Sequence, residues 1–396
     1  MSLIRYWLWL SSAANVSARA KYLLVERYGG AEQAYFAPAG DFSSVEGISP
    51  LDAERLDKRD MSRVDAILQS CEEQGLTILT INDAAYPSRL KSIYDPPVVL
   101  YIKGSLPNVD DVPAFAVIGT RRATPYGLKM GRSIAYEIAQ SGGIVISGLT
   151  SGIDAAAARG ALLAGGTCIA VLGTAHEDCT LPLSRDVAAS GALVSEYPPG
   201  TESQRSFFRA RNRISSGLSV GVAVVEAPAD SGALLFAATA QEQGREIFAV
   251  PGNADNPNSA GVIELLKQGA RPAVCGWDIV GEYACLFPGK VADRISRPCP
   301  RSDVGETQSV SSAPKKEIDN GKPEEYIDKT ECPGGLDEEQ LKIVSAIDKD
   351  GTHVDDIIDR TGMSASKVLS QLTVLEILGR IKRGAGRMIF TNFSKK

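Results

Sequence analysis

The residues of this chain that could do chemistry are arginines beside glycine turns. Gly119, Thr120, Arg121 and Arg122 directly follow the apolar run 115–118. A glycine lets backbone N–H groups approach one another, and an arginine adds a fixed charge with forked donors. The start of the following helix would add partial positive charge. The first turn therefore predicts a site for phosphate oxygens.

Two further turns share this composition. Ser147, Gly148 and Gly152 follow the next apolar run, and Ser231 and Gly232 precede a later helix that could bind an anion at its start. No turn has the GxGxxG spacing of a dinucleotide site or the GxxxxGK[ST] spacing of a P-loop. A single glycine turn is more often a steric requirement of a strand-to-helix connection than a ligand site.

A cationic segment with aromatic residues lies between two of the strand-like runs. Its members are Arg205, Phe208, Arg209, Arg211, Asn212 and Arg213. Arginines that track phosphates, with a ring that stacks on an unpaired base, suit a single-stranded nucleic acid. Alternatively, the rings pack into the sheet and the later arginines tie down loops through internal carboxylates such as Asp154 or Glu226. The sequence leaves both interpretations open.

The elements that must position these residues alternate regularly. Between residues 114 and 287, short continuous apolar runs recur about one helix apart. This pattern is typical of an α/β fold with a doubly wound, Rossmann-like parallel sheet whose faces are both covered by helices. Ligands of such sheets bind beyond the carboxyl ends of the strands. The fold therefore predicts that the glycine turns meet at one edge.

The remainder of the chain divides into four segments. Residues 1–75 predict a small helical domain of the SAM or helix-hairpin-helix type, and residues 76–113 predict a connecting segment with strands. Residues 288–335 are rich in Pro, Ser, Gly, Lys and Glu, which predicts a disordered linker. Residues 336–396 predict three helices and a hairpin, the pattern of a winged helix.

Composition narrows the functional classes. The 396 residues carry a formal net charge of −6, which still permits a local cationic groove. Seven cysteines without a CxxC pair favour free thiols in a reducing cytoplasm, and two isolated histidines argue against a zinc site. No apolar run is long enough for a membrane span. We expect a soluble cytoplasmic protein without metal or cofactor.

Six segments, in their order and spacing, resemble the bacterial DNA-processing protein family DprA, also called Smf. They are AVIGTRRATPYG, VISGLTSGIDAAAARGALLAGGTCIAVLG, LVSEYPPG, FRARNRISSGLS, VVEAPADSGALLFA and GREIFAVPG. The resemblance implies a protein without catalytic activity that binds single-stranded DNA. It also implies a homodimer, formed through the sheet domain, that loads the RecA recombinase during natural transformation.

The same resemblance assigns roles to individual residues. Arg205 would supply a charge at the groove and Phe208 a stacking ring, while Arg211, Asn212 and Arg213 would frame the pocket. The phosphate pocket itself would use Gly119, Thr120, Arg121, Ser147, Gly148 and Gly152.

The chain departs from the family pattern at several of these positions. Ser151 stands where an arginine is usual, which removes a pocket charge, and Ala158 stands where a histidine is usual. Phe207 replaces the histidine of an HFP segment. Arg209 replaces the proline of that segment and returns a positive charge nearby.

Two other classes of protein remain as alternatives. Nucleoside-monophosphate phosphoribohydrolases have a related sheet domain, but they need a carboxylate in a PGGxGTxxE motif. The matching segment DSGALLFAA has no acid after its glycine. A ligand-sensing transcription regulator would use the sheet as sensor and the winged helix as reader. It would bind duplex DNA in a sequence-specific way.

Truncation at the start of the 288–335 segment should leave a folded sheet domain, because that segment has no apolar periodicity with which to build a core. Limited proteolysis with mass analysis of the fragments checks this. The first stable fragment should end within 288–335. A first cut inside 114–287 would contradict the expected domain division.

Overall fold

The computed structural model describes residues 3–291, 338–348, 352–363, 365–377, 380–383 and 388–391. The chain separates into two compact units, Met1–Gly305 and Glu306–Lys396. Most of the expected linker 288–335 lies outside the described residues. In the described part of the chain, no helix is both long and apolar enough to cross a membrane.

Short helices form the amino-terminal part of the first unit. They are α1 (Ile4–Ser12), α2 (Ala18–Tyr28), α3 (Ala31–Tyr35), α4 (Pro50–Asp57) and α5 (Val64–Gln74). Helix α2 begins at Ser17, whose side chain accepts a hydrogen bond from the Ala20 N–H. It ends at Gly29, whose φ of 81° lies in the left-handed region that glycine adopts without strain. Trp7 and Trp9 are buried, so they belong to the core.

A nine-stranded sheet forms the centre of this unit. Its strands are β1 (Thr77–Thr80), β2 (Val99–Gly104), β3 (Ala114–Ile118), β4 (Ile144–Ser147), β5 (Cys168–Val171), β6 (Ala192–Ser195), β7 (Gly221–Val224), β8 (Glu246–Ala249) and β9 (Arg271–Pro272). The spatial order is β1-β2-β6-β5-β4-β3-β7-β8-β9. Pairing is parallel from β6 to β9 and antiparallel where β1 and β2 extend the sheet. The segment 76–113 thus contributes edge strands to the same sheet.

Helices cover both faces of the sheet. They are α6 (Ser88–Lys91), α7 (Pro125–Gln140), α8 (Ile153–Leu163), α9 (Leu183–Ser190), α10 (Arg205–Ala210), α11 (Asn212–Leu218), α12 (Gly232–Glu242), α13 (Ala260–Lys267) and α14 (Trp277–Val280). Alternate residues of β3 enter opposite cores: Phe115 and Val117 join one buried cluster, and Ala116 and Ile118 join the other. The expected doubly wound α/β architecture is confirmed.

The order of the strands fixes where a ligand can bind. From β3 the chain proceeds outward through β4, β5 and β6, and then returns to place β7 on the other side of β3. The winding direction therefore reverses between β3 and β7. Such a reversal opens a crevice at the carboxyl ends of the two strands, because their connections leave in opposite directions.

The second unit has the elements of a winged helix. It contains α15 (Glu338–Ser345), β10 (Thr352–His353), α16 (Val354–Thr361), α17 (Ala365–Ile377), β11 (Ile381–Arg383) and β12 (Met388–Thr391). The three strands lie in the order β10-β12-β11. Ile343, Ile357, Leu372 and Ile389 form its core with their neighbours. The expected winged helix is confirmed.

Candidate nucleic-acid interface

A cavity of about 700 Å³ lies at the carboxyl ends of β3, β4 and β7, where the winding of the sheet reverses. Four separate parts of the chain supply its walls. Of the residues expected to bind nucleic acid, those that line it are Gly119, Thr120, Arg121, Arg122, Gly148, Arg205, Phe208, Arg209, Arg211, Asn212, Ser231 and Gly232. The structure thus brings together residues from all three glycine turns and from the cationic segment.

The first turn is shaped by close packing around Gly119. A Cβ atom at this position would lie 2.6 Å from Ile153 Cγ1 and 2.8 Å from the Glu226 carbonyl oxygen, so only glycine fits. The next N–H group, that of Thr120, donates to the same carbonyl at 2.7 Å. The turn is therefore pinned to β7 and α8, and it carries the exposed Arg121 to the cavity.

The helix that follows this turn does not offer a free amino terminus. Thr124 caps α7, and the carboxylate of Glu226 accepts hydrogen bonds from both the N–H group, at 2.9 Å, and the hydroxyl of Thr124. Glu226 is 2% exposed. Its negative charge already offsets the partial positive charge of the helix start. The expected contribution of α7 to phosphate binding is therefore corrected: any attraction at this turn comes from its arginines.

Ser147 and Gly152 of the second turn do not contact the cavity, but they fix the conformation of the turn that lines it. Ser147 is buried; its hydroxyl donates to the Asp154 carbonyl oxygen at 2.9 Å and accepts from the Leu149 N–H at 3.0 Å. Gly152 has a φ of 78°, and a Cβ atom there would lie 2.7 Å from the Arg121 carbonyl oxygen. Neither Ser147 nor Gly152 lines the cavity, so both act on it through the conformation of the turn.

Two buried groups of opposite charge lie beneath Gly148. Asp154 and Arg211 are 6% and 7% exposed, and a Cβ atom at Gly148 would overlap the guanidinium group of Arg211. Burial raises the pKa of the Asp154 carboxyl group, and the charge of Arg211 opposes that shift. The guanidinium group also donates to the Val171 carbonyl oxygen at 2.8 Å. Its Nε atom has no hydrogen-bond partner among the described residues. Arg211 therefore contributes a fixed positive charge to the wall of the cavity.

Four more arginines surround the cavity: Arg121, Arg122, Arg205 and Arg209. All four side chains are exposed, and the described part of the chain provides no carboxylate within ion-pair distance of any of them. Asp230 is the exposed acid on the opposite wall. Positive charge therefore exceeds negative charge around the opening.

The two phenylalanines of α10 face different surroundings. Phe208 is half-buried and lines the cavity, and the guanidinium carbon of Arg121 lies 5.4 Å from its ring centroid. Phe207 instead stacks on Tyr197, with centroids 3.9 Å apart and planes inclined by 13°. Of these two rings, it is Phe208 that could offer a face to a ligand in this cavity.

Arg213 lies outside the cavity that the resemblance led us to expect it to frame. Its side chain forms ion pairs with Asp95 at 3.0 Å and Glu196 at 2.6 Å and is 9% exposed. For this residue the structure matches the alternative of an arginine that ties down loops, although the carboxylates differ from those we considered. Asn212, in contrast, does line the cavity.

The third turn places the start of helix α12 at the cavity. The Ser231 side chain accepts a hydrogen bond from the Ala233 N–H at 3.2 Å, which begins α12. A Cβ atom at Gly232 would meet nothing within 4 Å. Leu235 and Phe236 also line the cavity, which the sequence analysis did not predict. Their position one helical turn after Ser231 could have indicated it.

The fold and this cavity define a class: doubly wound α/β proteins with a cationic pocket at the point of reversal and a winged helix. The model of the family "DNA recombination-mediator protein A" matches residues 77–284, and that of the "DprA winged helix domain" matches residues 328–387. The chain belongs to the DNA recombination-mediator protein A family, whose members are named DprA or Smf.

Individual relatives agree with this assignment. Protein Smf of Synechocystis sp. is 30% identical over 405 residues, which cover 96% of this chain and 97% of the relative. DNA processing protein DprA of Bacillus subtilis is 40% identical over 220 residues, covering 54% of this chain and 74% of the relative. The solved structure of DprA from Streptococcus pneumoniae superposes with a TM-score of 0.62 at 30% identity, covering 71% of this chain and 99% of that one.

Gly148→Ala should lower the free energy of unfolding by about 1 to 3 kcal/mol, because the new methyl group must displace the guanidinium group of Arg211. Gly232→Ala is the matched control, since it adds the same atom in open space. Urea unfolding of both variants measures the difference. Equal stability of the two variants would show that the guanidinium group of Arg211 does not need the space left by Gly148.

Proposed function

We propose that this chain binds single-stranded DNA in the cavity at the reversal of the sheet. We further propose that it acts, without catalysis, as a recombination mediator that loads RecA during natural transformation. Membership of the recombination-mediator family supports the biological role. The arrangement of charge and ring in the cavity supports the ligand.

The observation that carries the proposal is the set of exposed arginines without carboxylate partners beside the ring of Phe208. Arginines free of internal partners can neutralise successive phosphates of a strand and release counterions. Phe208 can stack on a base, and stacking tolerates every base because each has a π-face. The site would therefore bind a strand without strong preference for its sequence.

A single strand suits this geometry better than a duplex. In a duplex the bases are stacked on one another, so their faces are not free to meet a protein ring. Phe208 is half-buried in the wall, so a base must leave its stack to reach it. The winged helix belongs to a separate unit.

The two buried carboxylates near the cavity, Asp154 and Glu226, support a binding role over a hydrolytic one. Asp154 is buried, accepts a hydrogen bond from the Thr150 hydroxyl at 3.0 Å and lies against Arg211. Glu226 is engaged with the start of α7. A carboxylate that acts as a general acid or base must reach the reacting group, and these two are committed to internal partners.

Association through the later elements of the sheet domain completes the proposal. Ala238 on α12 is exposed, and Ile263 on α13 is half-buried, which leaves apolar surface on both helices. A closed homodimer would cover such surface on each chain at once. It would also place two DNA cavities on one particle.

Arg121→Ala should weaken binding to poly-dT and flatten the slope of log affinity against log salt by roughly 0.7, because one fewer phosphate is neutralised. Phe208→Ala is the matched variant: it should cost about 1 to 3 kcal/mol of binding with little change in slope, since a stacking ring releases no counterions. Salt titrations of both variants measure these effects.

Thermal melts of the same two variants separate binding from folding. If Phe208→Ala lowers the melting temperature and weakens binding only as far as the unfolded fraction accounts for, the ring belongs to the core and not to the DNA site. A folded Arg121→Ala protein that binds with an undiminished slope would remove the support for the glycine-turn site. A preference for duplex over poly-dT would favour the transcription regulator instead.

The chain should behave as a homodimer in solution, because the apolar surface of α12 and α13 is covered when two copies pair. Light scattering at tens of micromolar should therefore report twice the chain mass of 42.0 kDa. A particle of 42.0 kDa at that concentration would contradict the expectation.

A further inference from the structure

A second cavity of about 660 Å³ adjoins the proposed DNA site, and Arg209 lines both. Its other walls come from the segment after α6 and from the end of α12, which include Tyr94, Asp95 and Arg245. Helix α10 thus separates the two spaces, with Arg209 exposed at their junction. A strand that passes Arg209 on its way out of the first cavity enters the second.

The second cavity contains an exposed ring that is held in place. Tyr94 is 73% exposed, more than any other large apolar or aromatic side chain in the part of the chain that the structure describes. The guanidinium carbon of Arg19 lies 4.4 Å from its ring centroid, and Arg19 also donates to the Tyr94 carbonyl oxygen at 2.6 Å. This cation–π contact and hydrogen bond orient the ring while leaving most of its surface in water.

The charges around this ring favour an anionic polymer. Arg245 donates to the carbonyl oxygens of Ser216 and Gly217 at 3.2 and 3.3 Å, so its charge is fixed without a carboxylate. Asp95 pairs with Arg213, 3.0 Å away, which Glu196 also contacts. Arg209 and Arg245 are the cations of this cavity that have no carboxylate partner among the described residues. Glu242 is the other acid of this cavity and is exposed to water, where its repulsion is screened.

We infer that the second cavity is an extension of the DNA site, in which a base stacks on Tyr94 after the backbone has passed Arg209. The inference rests on the proposed function, because it assigns a further subsite to the same strand. It identifies the ligand as the continuation of single-stranded DNA. It also predicts that the bound length exceeds what the first cavity holds.

The test compares short and long strands. Tyr94→Ala should weaken the binding of an oligo-dT of about 16 nucleotides about tenfold, the loss of one stacked base, and should leave an oligo-dT of about 4 nucleotides unaffected. Tyr94→Phe retains the ring and should bind both oligonucleotides as the unchanged protein does. The exposed position predicts an unchanged melting temperature.

Phe36→Ala is the matched control, since this ring is 65% exposed and lines neither cavity. It should bind both strands normally. If the unchanged protein binds neither oligonucleotide, the proposed function itself fails. If the unchanged protein binds both and Tyr94→Ala equals it at each length, only the extension is overturned. A Tyr94→Ala protein that loses short and long strands equally would also overturn it.

Discussion

The attraction between the buried charges of Asp154 and Arg211 is the interaction on which the rest of the cavity depends. It lies where the start of α8, the start of α11 and the end of β5 meet, because Arg211 also holds the Val171 carbonyl oxygen. Removing one member of such a pair leaves an uncompensated charge in the interior, which is strongly destabilising. Gly148 is the residue that leaves room for the pair. The segments that carry Asp154, Arg211 and Val171 are therefore held together by this attraction and by the hydrogen bond of Arg211.

Charge is divided between the interior and the rim. Inside, the charged groups have partners: Arg213 contacts two carboxylates, and Glu226 accepts hydrogen bonds at the start of α7. Around the opening, the exposed arginines have no such partners in the described chain. A chain with a formal net charge of −6 can thus present a local positive surface, since the potential at a cleft depends on nearby charges rather than on the total.

Much of this arrangement could be predicted from the sequence, and the exceptions share one cause. The strands β3 to β8 and the glycine turns were visible because their signals are local: apolar runs and the residues that follow them. The partners of Arg213 and the capping of Thr124 by Glu226, 102 residues away, were not, because they depend on which chain segments meet in space. The joining of β1 and β2 to the main sheet escaped for the same reason.

Helix α10, Arg205–Ala210, forms the wall between the two cavities, yet none of its six residues is buried. The half-buried rings of Phe207 and Phe208 are its main packing contacts, so it opens locally at a small cost in free energy. A strand can enter a closed tunnel only by one of its ends. If helix α10 moves outward, the strand can enter from the side. A long or circular strand could therefore be captured at any internal position, and the rate of capture would follow the opening of this helix.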